Sequence, residues 1–145
     1  MKVYLDMCAL KRPFDDQSQA RIFVESTAVA RILEAAGAGR VRLLNSVVLV
    51  YENGRNPNVR RREGVAALLE WIGPATPASA PVFQRAGELV RKGIPDLDAL
   101  HVSFAEHLGA DSLVTVDDRL LARADELSLE VAVTDPVSFL RRMGP

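Results

Sequence analysis

The sequence has little of several features that membrane, secreted and nucleic-acid-binding proteins commonly carry. It has one cysteine, Cys8, so it cannot form an internal disulfide, and this fits a reducing compartment. A net charge of -1 provides no global attraction to nucleic acid, so any such binding needs a local basic patch. No apolar run approaches the roughly 20 residues that span a bilayer. Asp6 interrupts the apolar start too early for a signal peptide. We therefore expect a cytoplasmic protein with no membrane partner.

The composition is that of one soluble globular domain. Of its 145 residues, 48% are hydrophobic and 26% charged, which is enough to bury a core. The sequence has no repeats and no low-complexity segments. Residues 73–81, rich in proline and alanine, come nearest to a linker but predict a loop within the domain. We expect a single domain over residues 1–145.

Short apolar strands alternate with helical segments along the chain. The predicted strands are 3–5, 41–44, 112–116 and 130–133. The first long helix is predicted to follow a capping box at Asp16–Gln19 and to run to about Ala36, before Gly37. Further helices are predicted at 46–52, from 58 onward, and at 82–92, 96–108, 119–125 and 136–142. This alternation favours a parallel sheet covered on both faces, with ligands beyond the carboxyl ends of the strands.

Four acidic residues lie where strand ends or helix margins would bring them together. Asp6 follows the first strand, Glu52 ends the helix at 46–52, Asp98 lies near the start of the helix at 96–108, and Asp117 follows the third strand. Crowded carboxylates repel one another, so a cluster of them needs protons or cations. Hard divalent cations prefer oxygen ligands, and metal ions suit phosphoryl chemistry. The four acids together predict a metal site, although each alone could be a solvated residue.

Residues beside these acids have simpler interpretations. Asp96 and Asp118 are predicted to be helix N-caps. His101 lies at the margin of a buried helical stripe, which favours a packing or supporting role over metal ligation. Cys8 has no histidine next to it in sequence that would activate a thiolate, so a cysteine nucleophile is disfavoured.

Basic residues in the loops next to the acids form a candidate RNA-binding rim. They are Lys11, Arg12, Arg55, Arg60, Arg61 and Arg62. If both loops border the acids, these side chains would hold phosphates while reading little sequence. The alternative is a solvated helix face with ion pairs, for example between Arg60 and Glu63.

Together these motifs resemble the PIN domain family of nucleases, which includes the VapC-type toxins of toxin–antitoxin pairs. The matching motifs are Tyr4-Leu5-Asp6 with Ala9-Leu10, the segment Ser46–Glu52, Asp98-Ala99-Leu100-His101, and Leu113–Asp118; the segment Leu10–Gln17 resembles one branch of the family. The resemblance covers nearly the whole chain in the expected order. Cys8 departs from it, because many members have serine or asparagine there.

The resemblance implies a fold, an activity and partners. The fold would be a three-layer α/β/α sandwich around a parallel sheet. The activity would be cleavage of RNA phosphodiesters, with Mg²⁺ or Mn²⁺ held by the catalytic acids Asp6, Glu52, Asp98 and Asp117. The implied partners are an RNA substrate, a cognate antitoxin and a second copy of the chain in a homodimer.

Three other functions compete with the nuclease. A catalytically silent PIN-like module that binds RNA or a partner protein would tolerate the loss of an acid, whereas all four are present. A receiver domain would need a lysine after the late strand, which residues 133–135 and their neighbours do not provide. A haloacid-type phosphotransferase would need an acid two residues after Asp6, where Cys8 stands. The nuclease is therefore the first hypothesis.

Overall fold

A four-stranded parallel sheet forms the centre of the computed structural model, which describes residues 1–144. Its strands are β1 (Lys2–Leu5), β2 (Arg42–Leu43), β3 (Ser112–Val114) and β4 (Ala132–Thr134), in the order β2-β1-β3-β4. Val3 pairs with Leu43 on one side and with Ser112 on the other. Because all pairings are parallel, every strand has its carboxyl end at the same edge of the sheet.

Helices cover both faces of this sheet. In chain order they are α1 (Met7–Lys11), α2 (Ala20–Gly37), α3 (Val47–Gly54), α4 (Val59–Ile72), α5 (Ala80–Arg91), α6 (Asp96–His107), α7 (Asp118–Glu126) and α8 (Pro136–Met143), with a 3₁₀ turn at Arg12–Phe14. Helix α2 packs against α8, and α5 packs along α6. Crossovers between parallel strands are right-handed, so the β1-to-β2 and β3-to-β4 connections lie on opposite faces. The structure confirms the predicted three-layer α/β/α sandwich.

The central strands are buried between the two helical layers. Val3, Tyr4 and Leu5 of β1 and Leu113 and Val114 of β3 are at most 1% exposed. Continuous apolar runs of this kind are expected where both faces of a parallel sheet are covered. Among residues 1–144, no helix combines the length and the apolar character needed to cross a membrane.

The chain between β1 and α2 differs from the prediction. The sequence pattern gives no sign of α1, which begins directly after Asp6 because the Asp6 carboxylate accepts the N–H of Met7 and caps the helix. The predicted capping box at 16–19 is wrong. The Asp16 carboxylate instead accepts the N–H of Ser18 in a local turn, and α2 begins at Ala20.

The predicted N-caps of two later helices are also wrong. Helix α6 begins at Asp96 itself, with Pro95 in the cap position and no side-chain cap. Helix α7 is capped by Asp117, whose carboxylate accepts two backbone N–H groups of the first turn, and Asp118 is already helical. The backbone of Asp117, three residues after the end of β3, is extended, as an N-cap requires.

A substitution at Gly64, which contacts Phe14, tests how the 3₁₀ turn packs on α4. A Cβ at Gly64 would lie 2.5 Å from the Phe14 ring, so we expect Gly64→Ala to cost about 1–3 kcal/mol of stability. Gly87→Ala in α5 is the matched control. Its Cβ would meet only the Arg91 guanidinium at 3.6 Å, and alanine should gain about 0.5–1 kcal/mol there. Urea unfolding measures both variants, and effects of the same sign would contradict the packing.

Candidate functional site

Asp6 lies at the centre of the candidate site. It follows β1 at the point where the strand order reverses, which is where open α/β sheets bind ligands. The residue is only 4% exposed. Its Oδ1 accepts the N–H of Met7 at 2.8 Å, and its Oδ2 accepts the hydroxyl of Thr115 at 2.8 Å. The backbone and β3 therefore fix the orientation of this carboxylate.

Thr115 and Cys8 support Asp6 from the side of β3. The Thr115 hydroxyl also accepts the N–H of Asp117 at 3.1 Å, so one side chain connects two of the predicted acids. The sulfur of Cys8 lies 3.2 Å from Thr115 Oγ1 and 3.4 Å from Asp6 Oδ2. Burial, followed by the charge of Asp6, raises the pKa of the Cys8 thiol well above its ordinary value. A protonated thiol is a poor nucleophile, which fits a supporting role for Cys8.

A chain of buried hydrogen bonds holds the second acid, Glu52. His101 of α6 is completely buried, and its Nε2 lies 2.8 Å from Glu52 Oε1. Its Nδ1 lies 2.7 Å from the hydroxyl of Tyr4, which in turn lies 2.7 Å from Ser46 Oγ. Ser46 caps α3 by accepting the N–H of Leu49. These bonds join β1, α3 and α6 and determine where Glu52 points.

The chemistry of the donors and acceptors sets the direction of each hydrogen bond in this series. An ionised carboxylate only accepts, so the proton between His101 and Glu52 resides on Nε2. In the neutral imidazole, Nδ1 then accepts from Tyr4, and Tyr4 accepts from Ser46, so each buried group has a partner. Burial lowers the pKa of His101, but the bond to Glu52 and the charges of Asp6, Glu52 and Asp98 outweigh it, and the pKa is raised overall.

Asp98 faces the other acids from the first turn of α6. It is half-buried, and burial together with the charges of Asp6 and Asp117 raises its pKa to about 6, against an opposing effect of His101. Glu52 adds a smaller contribution of the same sign. The structure thus brings the other three predicted acids within electrostatic range of Asp98. Within residues 1–144, no lysine or arginine forms an ion pair with any of them.

The donor set suits a hard divalent cation, because all four side chains offer carboxylate oxygens. Asp98 has no hydrogen bond to either oxygen within the described residues, and Glu52 is bonded through Oε1 alone. As they stand, however, no three His, Cys, Asp or Glu side chains between residues 1 and 144 form a group that could hold a metal ion. A bound ion would therefore have to draw side chains such as Glu52 and Asp98 toward it.

Some of the predicted RNA-binding residues border the acids. Lys11 and Arg55 line a cavity of about 370 Å³ next to Glu52. Arg60 is exposed, and Arg62 donates to a backbone carbonyl in the loop before α4. Of the six basic residues, Lys11 and Arg55 are therefore the two that line a cavity beside an acid. Their contact with RNA stays a prediction.

Two other predicted RNA-binding residues are engaged in ion pairs. Arg12 lies 2.8 Å from Asp15 and 3.0 Å from Glu25, and Arg61 lies 3.2 Å from Asp15. Glu25 is buried and also pairs with Arg21 at 3.3 Å. These pairs hold the 3₁₀ turn against α2 and α4. For Arg12 and Arg61 the geometry therefore favours the alternative interpretation of a structural ion pair.

The sequence analysis missed two arginines on the other side of the acids. Arg119 and Arg123, one turn apart on α7, line a cavity of about 230 Å³ together with Asp98 and Asp117. Their spacing of four residues on a helix that starts beside Asp117 was a signal that they share a face. Basic side chains therefore border the acids from two directions.

Solved structures share this fold over nearly the whole chain. One is the structure of VapBC2 from Rickettsia felis bound to a DNA fragment from its promoter. A chain of that structure is 15% identical to this one; the match covers 93% of this chain and 98% of that chain, with a TM-score of 0.59. Another is FitAB bound to an IR36 DNA fragment, at 19% identity, 92% and 94% coverage and a TM-score of 0.59. No family model and no curated protein matches the sequence. What these structures share with this chain is the fold.

The buried bond between Tyr4 and His101 gives a stability prediction. Tyr4→Phe leaves the Nδ1 of His101 and the hydroxyl of Ser46 short of a partner in a dry environment, which should cost about 1–3 kcal/mol. Tyr51→Phe is the matched control, because Tyr51 is 55% exposed. Urea unfolding compares the two variants. A loss no larger for Tyr4→Phe than for Tyr51→Phe would contradict the proposed arrangement of donors and acceptors.

The raised pKa of Asp98 predicts how stability depends on pH. The folded state holds the Asp98 proton more tightly than the unfolded chain, whose pKa is about 3.9, so this group lowers stability as the pH rises from about 4 to 6. Without divalent cations, Asp98→Asn should be more stable than the parent at pH 7.5. We expect a difference of about 1–2 kcal/mol, because solvent screens this half-buried carboxylate and reduces the effect of its charge. The difference should vanish toward pH 4, as measured by denaturant unfolding at both pH values. A difference independent of pH would rule out charge repulsion as its cause.

Proposed function

We propose that this protein is a metal-dependent endoribonuclease that hydrolyses RNA phosphodiesters in the cytoplasm with Mg²⁺ or Mn²⁺. The observation that carries the proposal is the uncompensated charge at the switch in strand order. Four carboxylates lie there within electrostatic range, and repulsion from Asp6 and Asp117 contributes to a pKa of about 6 for Asp98. Such a cluster attracts cations, and a cation-filled carboxylate site is suited to phosphoryl chemistry.

The four acidic side chains would have different roles, depending on how firmly each is oriented. Asp6, Glu52, Asp98 and Asp117 would hold the ion, which when bound supplies an activated water and neutralises charge on the phosphate. Asp6 is oriented by backbone and by Thr115, and so needs little rearrangement. Asp98, with a pKa of about 6, is mostly ionised at neutral pH and would offer its oxygens to the cation.

Lys11 and Arg55 would receive the RNA backbone next to Glu52. Their cavity adjoins the acids, so a phosphate held there lies close to the cleavage site. Contacts of this kind bind the backbone and carry no sequence information directly. The target RNA would then be selected by its shape or by contacts from other parts of the chain.

A cognate antitoxin is the second part of the proposal. The fold is shared with the VapBC2 and FitAB complexes, which supports a toxin–antitoxin setting. A partner arginine could pair with two carboxylate oxygens in a fork and would then compete with the metal ion. The homodimer is proposed on the resemblance to VapC-type toxins.

A catalytically silent module that binds RNA or a partner protein is the second candidate. The specific observation in its favour is that the described side chains, as they stand, form no group able to hold a metal ion. The two candidates differ in one measurable respect: whether added Mg²⁺ or Mn²⁺ produces cleavage.

RNA cleavage by the purified chain tests the proposal. With fluorescently labelled single-stranded RNA, we expect cleavage in Mg²⁺ or Mn²⁺ and none in EDTA. Asp6→Asn and Asp98→Asn should each lose more than about 100-fold, the upper range for groups that merely orient metal ligands. Asp125→Asn, an exposed acid of α7, is the control for charge and should keep full activity.

Two outcomes would count against the nuclease. Binding of RNA by the parent chain without any cleavage would favour the silent module. Undiminished cleavage by both Asp6→Asn and Asp98→Asn would show that the activity does not come from these acids.

A further inference from the structure

The cavity between α6 and α7 opens directly onto the acids but is lined by none of the predicted RNA-binding residues. It measures about 230 Å³, and Gly93, Ile94, Pro95, Asp98, Asp117, Arg119, Leu120 and Arg123 line it. Its two carboxylates are members of the acid cluster. Arg119 and Arg123 are the only basic residues among those that line it, so we call it the Arg119–Arg123 cavity.

The two arginines are free to bind an anion. Both are exposed, and neither forms an ion pair within residues 1–144. The ion pair that ties α7 to the rest of the fold is made instead by Asp118, which accepts two hydrogen bonds from Arg21. Arg119 and Arg123 therefore have no structural charge partner that a ligand would have to displace.

The guanidinium of Arg123 lies close to the backbone of Gly93. A Cβ at Gly93 would lie 2.6 Å from Nη1 of Arg123, so the guanidinium lies directly over a residue that has no side chain. Gly93 has a φ of +98°, which side chains rarely tolerate, so the chain keeps this opening for the arginine. Gly93 and Arg123 both line the cavity, so the guanidinium lies at its wall.

The start of α6 lies at the same cavity. Helix α6 has no side-chain cap, and the residues that lead into it, Gly93 to Pro95, line the same cavity. The uncapped N–H groups of a first turn favour anions, but Asp96 and Asp98 of this turn offset that effect, so the attraction for an anion comes from the two arginines. Arg119 and Arg123 thus share the cavity with Asp98 and Asp117.

We propose that the Arg119–Arg123 cavity binds a backbone phosphate of the RNA next to the phosphate that is cut. The strand then crosses the acids from the cavity at Lys11 and Arg55 to the Arg119–Arg123 cavity. This assignment rests on the proposed nuclease function. Positive charge on both sides offsets the repulsion between RNA and the acids, and leaves the scissile phosphate above Asp6 and Asp98.

Equilibrium binding tests the assignment without requiring catalysis. The probe is fluorescein-labelled single-stranded RNA of mixed sequence in EDTA, followed by fluorescence anisotropy over a series of KCl concentrations. The double variant Arg119→Gln/Arg123→Gln should bind at least about 10-fold more weakly, and the slope of log K against log salt should fall by about 0.7 for each phosphate that the protein no longer neutralises.

The double variant Arg141→Gln/Arg142→Gln is the matched control. It removes the same charge from exposed positions in the last turn of α8, a helix that starts at the carboxyl edge of β4 and runs away from it. Its RNA affinity and salt slope should equal those of the parent. Circular dichroism melts of both variants verify that each is folded.

The outcomes separate the cavity from the nuclease itself. If the parent cleaves RNA and Arg119→Gln/Arg123→Gln binds it with unchanged affinity and slope, the cavity assignment is overturned and the nuclease stands. Equal losses in the two double variants also overturn the assignment, because net charge alone would then account for them. A parent that neither binds nor cleaves RNA overturns both proposals. A loss confined to Arg119→Gln/Arg123→Gln supports the assignment.

Discussion

The hydrogen bonds through His101 are the interaction on which the candidate site depends. They run from the cap of α3 through the central strand to Glu52, and every group along them is in or next to the core. Burial makes each bond costly to break, since a partner left alone is stranded without water. Packing of the apolar core therefore also sets the direction of a charged side chain, and the fold and the site cannot vary independently.

The fold class and the neighbourhood of the acids could be predicted because both follow from alternation along the chain. Asp6 and Asp117 end strands that pair in parallel, so they had to meet at one edge. The residues that hold them could not be predicted. Tyr4 and Thr115 look like ordinary strand residues in sequence, and their polar groups find partners far away along the chain, which no local pattern reveals.

The basic residues show the same limit more sharply. Arg12 and Arg119 are equally basic in sequence, yet the first is engaged by Glu25 and the second has no described partner. The sequence analysis selected the loops after Asp6 and Glu52 and overlooked α7, although Arg119 lies only two residues after Asp117. The N-caps were misassigned for a related reason. Adjacent acids such as Asp117 and Asp118 are chemically alike, and the backbone conformation at the end of β3 decides which of them caps the helix.

The pairing of β1 with β3 affects when, during synthesis and folding, the Asp6 carboxylate becomes oriented. Thr115 reaches Asp6 across 109 positions of sequence, and contacts of such long range are slow to form because closing a long loop costs conformational entropy. A chain emerging from the ribosome holds Asp6 from the start but lacks the strand that aims it until most of its length has been made. A translation product that ends before β3 would therefore contain Asp6 but lack Thr115, the side chain that orients its carboxylate.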